Sequence, residues 1–141
     1  MLKTATIILF IYLVLHAVGS IGMIFTPQSF FSDRIKASEA WQNPVISKAW
    51  LGDLRDVGVL VLGVDVGLLI ILFAGFKKGQ KWAWWVLLPS LVASGYYLVM
   101  EIIRGNKHLI GAIIGTVLLG LALLLPIRVF FPKRPAAAHT S

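Results

Sequence analysis

Four long apolar stretches constrain this chain more than any other feature. They run over about residues 5–25, 56–76, 82–103 and 109–127. Each holds about 20 mostly apolar residues, the number that an α-helix needs to cross roughly 30 Å of hydrocarbon. Inside lipid the backbone must satisfy its own hydrogen bonds, which a helix does within one segment. The sequence therefore predicts an all-α polytopic membrane protein: an antiparallel bundle of four transmembrane helices in a single domain, residues 1–131.

Composition agrees with this class and narrows the chemistry. Hydrophobic residues make up 58% of the chain and charged residues 13%, whereas soluble domains have about 45–50% apolar and about 25% charged residues. The chain has no cysteine, which excludes disulfide scaffolds, thiolate metal sites and cysteine nucleophiles. The net charge of +7 comes from Lys and Arg at the segment ends, and without a basic helix or patch we predict no nucleic-acid partner.

Charges at the segment ends indicate an orientation. Lys3, the basic residues of 77–81 and those after 127 lie on one side, and the bias over the other side is slight. It favours both termini in the cytoplasm. Lys3 and the small residues 17–20 also fit a signal peptide, but the apolar stretch is long for one, and we interpret it as a span.

The long connection 26–55 is predicted to be a partly helical outer loop. Ser32 is a suitable cap for a short helix over 33–41, and Asn43 with Pro44 can begin another helix that runs into the second span. The aromatic residues of this loop place it on the outer membrane surface or over the bundle. At the other end of the chain, residues 132–141 are predicted to be a flexible tail.

Polar side chains within the spans are the candidate functional residues, because lipid offers them no partner. The spacing i, i+4 or i, i+7 places several on one helix face, and Asp65 lies near the predicted midplane. If these faces converge, they enclose a polar pocket that opens toward the outside. The predicted ligand-binding residues are Tyr12, His16, Asp65, Ser90, Ser94, Tyr97 and Glu101, with Thr116 as a further candidate at mid-depth.

A pair formed by His16 and Asp65 has two interpretations. It is either a satisfied hydrogen bond that holds the bundle together, or a group that exchanges protons or anchors a polar headgroup. His16, Asp65 and Glu101 are the catalytic candidates if there is catalysis. We predict no metal site, because the possible ligands come from different helices and depths. No cofactor is predicted, since no phosphate-binding or dinucleotide-binding glycine pattern occurs.

Two further groups have mainly structural interpretations. An outer polar cluster, Arg55, Asp56, Arg104 and His108, is either solvated among lipid headgroups or has a more specific role. In that role Arg55 reaches Glu101 to close the mouth of the bundle, or the basic members contact lipid phosphate. The glycines Gly58, Gly63, Gly67, Gly111 and Gly115 predict close helix packing, within the bundle rather than in a dedicated dimer interface. Because its glycines lie on two faces, the second span is expected to be the central helix.

Three short segments carry a family resemblance. They are Gly22-Met23-Ile24-Phe25-Thr26-Pro27, then Gly52-Asp53-Leu54-Arg55-Asp56-Val57-Gly58-Val59-Leu60-Val61-Leu62-Gly63, and Glu101 with Arg104-Gly105 and His108. In these the chain resembles the small four-span bacterial membrane proteins of the DoxX-like group. The resemblance implies a compact antiparallel bundle with Arg55, Asp56, Glu101 and His108 as family-type polar positions. It implies no reaction, and Asp65 has no place in it.

Three functions remain open at this point. The first is a non-enzymatic protein that binds a lipid or hydrophobic small molecule, or an accessory subunit of a membrane complex. The second is a small membrane enzyme that acts on a lipid or isoprenoid by acid/base chemistry. The third is a proton-coupled carrier, which four spans disfavour unless the protein dimerises. The expected partners are membrane lipids and a second copy or a larger membrane complex.

Overall fold

The computed structural model describes residues 1–104 and 108–132, apart from the Arg104 side chain. Its helices are α1 (Leu2–Phe25), α2 (Asp33–Lys36), α3 (Glu39–Gln42), α4 (Pro44–Ala74), α5 (Lys81–Arg104), α6 (Leu109–Leu124) and α7 (Ile127–Phe130). Short 3₁₀ turns cover Pro27–Phe30 and Phe76–Lys78. No strand occurs among these residues, which confirms the all-α class. The predicted flexible tail lies outside the described residues beyond Pro132.

Four helical segments of the described part are long and apolar enough to cross a bilayer. They are Leu2–Phe25, Pro44–Lys78, Lys81–Ile103 and Leu109–Phe130. The second is longer than its apolar stretch because α4 begins at Pro44. The Asn43 side chain accepts hydrogen bonds from the backbone N–H groups of Val45 and Ile46, so the sequence-predicted cap starts one continuous helix of 31 residues.

The short helix predicted over 33–41 is two helices in the structure. The Ser32 hydroxyl oxygen caps α2 as expected, accepting from the Ile35 N–H. The Ser38 oxygen then accepts from the Trp41 N–H, 3.3 Å away, and caps α3. Serine favours such a cap over an interior helical position because its hydroxyl bonds the nearby backbone. Ser38 therefore ends the first helix and begins the second.

The four long helices pack in the spatial order α4, α1, α6, α5. Helix α1 lies against both α4 and α6, and α6 lies against α5, whereas α4 and α5 have little contact. The expectation that the second span is central is therefore wrong. Helices α1 and α6 hold the middle positions because their neighbouring faces supply most of the buried side chains.

Buried apolar side chains concentrate at one end of this arrangement. They come from the first half of α1, the end of α4, the start of α5 and the end of α6, and from the turn after α4 and the short helix α7. The largest of them are Phe76, Phe130, Leu9, Leu13, Leu72, Leu87, Leu119 and Leu123. Trp84 belongs to the same core and donates its indole N–H to the Leu123 carbonyl at 2.9 Å. This end is closed by apolar packing, and polar groups become frequent beyond it.

The predicted packing glycines fall into two groups. A Cβ built on Gly58 would lie 2.9 Å from the Met23 Cβ and 3.0 Å from the Ser20 carbonyl oxygen, so α1 and α4 approach closely only because this residue is glycine. Gly115 lies in ordinary contact range of the Tyr12 ring. A Cβ on Gly63, Gly67 or Gly111 would meet nothing within 4 Å. Those three glycines lie away from the helix contacts of this chain.

Candidate functional site

Asp65 and His16 form the centre of the candidate site. His16 Nδ1 on α1 lies 2.8 Å from Asp65 Oδ1 on α4. The second carboxylate oxygen, Oδ2, accepts from the Ser20 hydroxyl at 3.1 Å. The same hydroxyl lies 3.1 Å from the His16 carbonyl oxygen. Both oxygens of a buried carboxyl group are thus bonded to α1, which offsets the cost of removing the group from water.

Tyr12 extends the site toward the other two helices. Its ring stacks on His16 with centroids 5.6 Å apart, and its side chain interacts with both Asp65 and Ser94. The Ser94 hydroxyl on α5 lies 2.9 Å from the Thr116 hydroxyl on α6. Thr116 can also donate to the Ser94 carbonyl oxygen at 3.2 Å. A line of polar groups therefore reaches all four long helices.

His16 differs from its partner in exposure. The Asp65 side chain is 2% exposed, but that of His16 is 46% exposed. His16 lies on the face of α1 between Asp65 on α4 and Tyr12, which contacts α6 at Gly115. Helices α4 and α5 have little contact with each other, and nearly half of the His16 side chain is exposed. We name the exposed surface beside His16 the lateral opening.

The geometry limits what His16 can do. Nδ1 is occupied by Asp65, so Nε2 is the ring nitrogen available to another molecule. With Asp65 ionised and His16 neutral, Nδ1 carries the proton and Nε2 is an acceptor. With Asp65 protonated the tautomer reverses and Nε2 donates, and Nε2 also donates when His16 is the cation of an ion pair with Asp65. The pair can therefore offer either a lone pair or a proton to a group in the lateral opening.

The remaining residues of the predicted stripe on α5 lie outside this group. Ser90 is half-buried, Tyr97 is 47% exposed and Glu101 is 2% exposed. Tyr97 and Glu101 both have interaction partners. Of the sequence-predicted residues, the structure brings together Tyr12, His16, Asp65, Ser94 and Thr116.

The described residues of the outer polar cluster differ in exposure and in contacts. Arg55 and Asp56 are exposed on α4, and the Arg104 side chain lies outside the described residues. His108 stacks on Phe30 with centroids 5.7 Å apart, and its Nε2 lies 3.4 Å from the Phe30 carbonyl oxygen. This histidine fixes the Pro27–Phe30 turn to the start of α6.

Ser20 is the site residue that the sequence reasoning missed. It follows His16 at i+4 and therefore shares its helix face, which is the signal that could have identified it. A serine is easily set aside because its hydroxyl can bond the carbonyl one turn earlier in any helix. Its second bond, to Asp65, depends on how closely α4 approaches.

The fold and site define an all-helical protein with four bilayer-length helices and a polar line at mid-length. Within the described part, no three His, Asp or Glu side chains are grouped so that they could hold a metal ion. No family model matches the chain, and comparisons with curated proteins and with solved structures found no similar protein.

Proposed function

We propose that this chain is an integral membrane protein that binds a lipid or another hydrophobic small molecule with a polar group at His16 and Asp65. Its four long helices cross the bilayer in alternating directions, and the ligand enters sideways through the lateral opening. The observation that carries the proposal is the contrast within the pair. Asp65 is buried and fully bonded, whereas His16 is half-exposed with one nitrogen unused by Asp65.

Membrane placement follows from length, hydropathy and charge. Four helical segments have the length and apolar character of spans, and many of their large apolar side chains are exposed, as lipid-facing residues are. The basic residues near Lys77 and Lys81 favour the cytoplasm for that end and for both termini. The resemblance to the DoxX-like group and placement in a bacterial inner membrane belong to the same proposal.

A ligand with a polar group would complete the hydrogen bonds of His16. Lipid tails cannot bond the outward nitrogen of His16, so an unoccupied site would carry an unsatisfied polar atom at membrane depth. A hydrophobic molecule with one hydroxyl or carbonyl group satisfies that atom while its apolar body stays among helices α4 and α5. Sites for such molecules combine mostly apolar walls with a few placed polar groups.

Acid/base catalysis on the same ligand is the second candidate. A histidine whose other nitrogen is held by a carboxylate is the arrangement that general acids and bases use. The Asp65→Asn variant separates the two functions, since it keeps the shape of the site and removes the ionisable group. If the wild type binds the ligand without converting it, the enzymatic function is excluded. If the wild type converts the ligand and Asp65→Asn does not, the enzymatic function is supported.

Native mass spectrometry of the protein released gently from its own membrane tests the main proposal. A stoichiometric small molecule retained on a monomer or homodimer is the expected result. An assembly with foreign subunits and no retained molecule would instead make the chain an accessory subunit of a membrane complex.

A further inference from the structure

A pocket without His16 or Asp65 in its lining lies beside the first half of α4. Residues of α2 and of the second to fourth turns of α4 line it, and its volume is about 540 Å³. Phe31, Trp50, Leu54 and Val57 supply apolar walls, and Arg34 and Asp53 supply charges of opposite sign. This volume lies in the range of small-molecule sites, roughly 300–1,000 Å³.

Aromatic packing holds the pocket in shape. Phe31 lies between Trp41 and Trp50, with ring centroids 4.9 Å and 6.3 Å away, and the two tryptophans are 6.4 Å apart. Aromatic pairs at such distances add to the energy of burial alone. The caps at Ser32 and Asn43 fix the helices on either side. The Phe31 and Trp50 walls are therefore supported by aromatic contacts within the chain.

The two charges of the pocket do not neutralise each other. Among the described residues, ion pairs join His16 to Asp65 and Lys36 to Asp33, and neither Arg34 nor Asp53 takes part in one. A guanidinium and a carboxylate that line one pocket without pairing fit a molecule that carries both an anion and a cation. Arginine suits a phosphate, and a carboxylate accepts hydrogen bonds from a primary ammonium group.

The pocket residues of α4 lie at or just before the start of its apolar stretch, at about residue 56. Helix α4 has 31 residues, which is about 46 Å at the α-helical rise, against roughly 30 Å of hydrocarbon. Its first turns therefore extend beyond the apolar layer. Val57 lies at the edge of the pocket, and the exposed apolar residues Val59 and Leu60 follow it on α4. An acyl chain that leaves the pocket past Val57 enters the hydrocarbon.

We propose that this pocket binds one phosphatidylethanolamine molecule, with its phosphate on Arg34 and its ammonium group on Asp53. Phe31 and Trp50 pack against the glycerol region and the start of the chains. The inference rests on the membrane placement proposed above, and it is independent of any ligand at His16 and Asp65. Ethanolamine is favoured over choline because only the primary ammonium group can donate hydrogen bonds to Asp53.

The test uses the full chain in detergent with an equimolar mixture of phosphatidylethanolamine, phosphatidylcholine and phosphatidylglycerol. Native mass spectrometry counts the lipids that each protein retains. The wild type should retain phosphatidylethanolamine in preference to the other two. Arg34→Gln and Asp53→Asn should each lower its bound fraction, by roughly three- to tenfold, because each removes one charge-assisted contact.

Two matched variants serve as controls. Lys36→Gln and Asp56→Asn remove the same charges from the same helices outside the pocket, and both should retain the lipid as the wild type does. The loss caused by Arg34→Gln and by Asp53→Asn should be the same in an Asp65→Asn background, which separates this site from the first. Equal binding of the three lipids, or an equal loss in the controls, would overturn the proposal. A preference for phosphatidylglycerol that only Arg34→Gln abolishes would overturn it in favour of a simple basic patch.

Discussion

Asp65 has a partner for each carboxylate oxygen, and both partners lie on α1. Replacing Asp65 with leucine leaves the His16 Nδ1 and the Ser20 hydroxyl without that partner. We expect the Asp65→Leu variant to lose about 1–3 kcal/mol of unfolding free energy, the cost of unsatisfied buried polar groups. Unfolding by a denaturing detergent, followed by circular dichroism, measures this loss.

The Asp65→Asn variant is the matched control for that experiment. Its amide oxygen can accept from His16, and its amide N–H can donate to the Ser20 oxygen, so we expect a smaller loss than in Asp65→Leu. Equal stability of the wild type and Asp65→Leu would mean that the pair does not hold α1 and α4 together.

The centre of the site could be anticipated from single residues, but its details could not. A histidine and an aspartate near the middle of apolar stretches need polar partners, and each other's side chain is the obvious choice. The role of Ser20 and the exposure of His16 depend on the separation and rotation of neighbouring helices. The separation and rotation of these helices arise from packing over the whole length of α1 and α4. They cannot be predicted from the spacing of residues along one helix.

At the scale of elements, Gly58 decides how closely α1 and α4 approach. Gly58→Ala places a methyl group about as near to Met23 and to the Ser20 carbonyl as the built Cβ, 2.9 Å and 3.0 Å. We expect this variant to lose about 1–3 kcal/mol of unfolding free energy through overpacking. Because Ser20 is part of this contact, ligand retention at His16 should fall as well.

Gly63→Ala is the control on the same helix. A Cβ there meets nothing within 4 Å, so the variant should be as stable as the wild type, or more stable by up to about 1 kcal/mol from helix propensity. A larger loss in Gly63→Ala than in Gly58→Ala, by the same unfolding assay, would contradict the packing described for α1 and α4.

The Ser94 and Thr116 hydroxyls join α5 to α6. A double-mutant cycle with Ser94→Ala and Thr116→Val should give a coupling energy of about 0.6 kcal/mol, the average for hydrogen bonds between membrane helices. The unfolding free energies of the wild type, both single variants and the double variant provide it. Additive effects would show that the two hydroxyls do not stabilise this helix pair.

The elements differ in how far the sequence specifies them. The caps at Ser32 and Asn43 can be predicted from the sequence, because a cap and the first turn of its helix are adjacent in sequence. The break at Ser38 is harder to foresee, because residues 33–41 can also form one helix and a single serine hydroxyl decides between the two. The glycine spacing is ambiguous in another way, because it shows only which surfaces allow close approach. Gly58 packs against α1, whereas a Cβ on Gly63 would meet nothing within 4 Å.

At the scale of the whole molecule, the order of the helices was the least predictable feature. The glycine faces and Asp65 favoured a central second span, whereas α1 and α6 hold the middle positions. Which helix is central depends on the summed burial of four faces, and α4 contributes fewer residues to the core than its composition suggests. The small contact between α4 and α5 follows from this order and has no local signal in the sequence.

The orientation in the membrane is directly testable because the chain has no cysteine. Ser47→Cys, near the start of α4, and Gln80→Cys, between α4 and α5, each introduce one thiol at an exterior loop or helix end. In intact cells, a membrane-impermeant maleimide should label Ser47→Cys and should reach Gln80→Cys only after permeabilisation. The reverse pattern would place both termini outside.

The central claim is that His16 presents its outward nitrogen to a hydrophobic ligand. Its most direct test is native mass spectrometry of the wild type, His16→Gln and His108→Gln, each released from the same membrane. Glutamine at position 16 can still donate to Asp65 but lacks the ring nitrogen, and His108 is a second histidine that packs on Phe30 away from the site. We expect one small molecule retained by the wild type and His108→Gln and lost from His16→Gln. The same molecule retained at the same stoichiometry by all three proteins would contradict the claim.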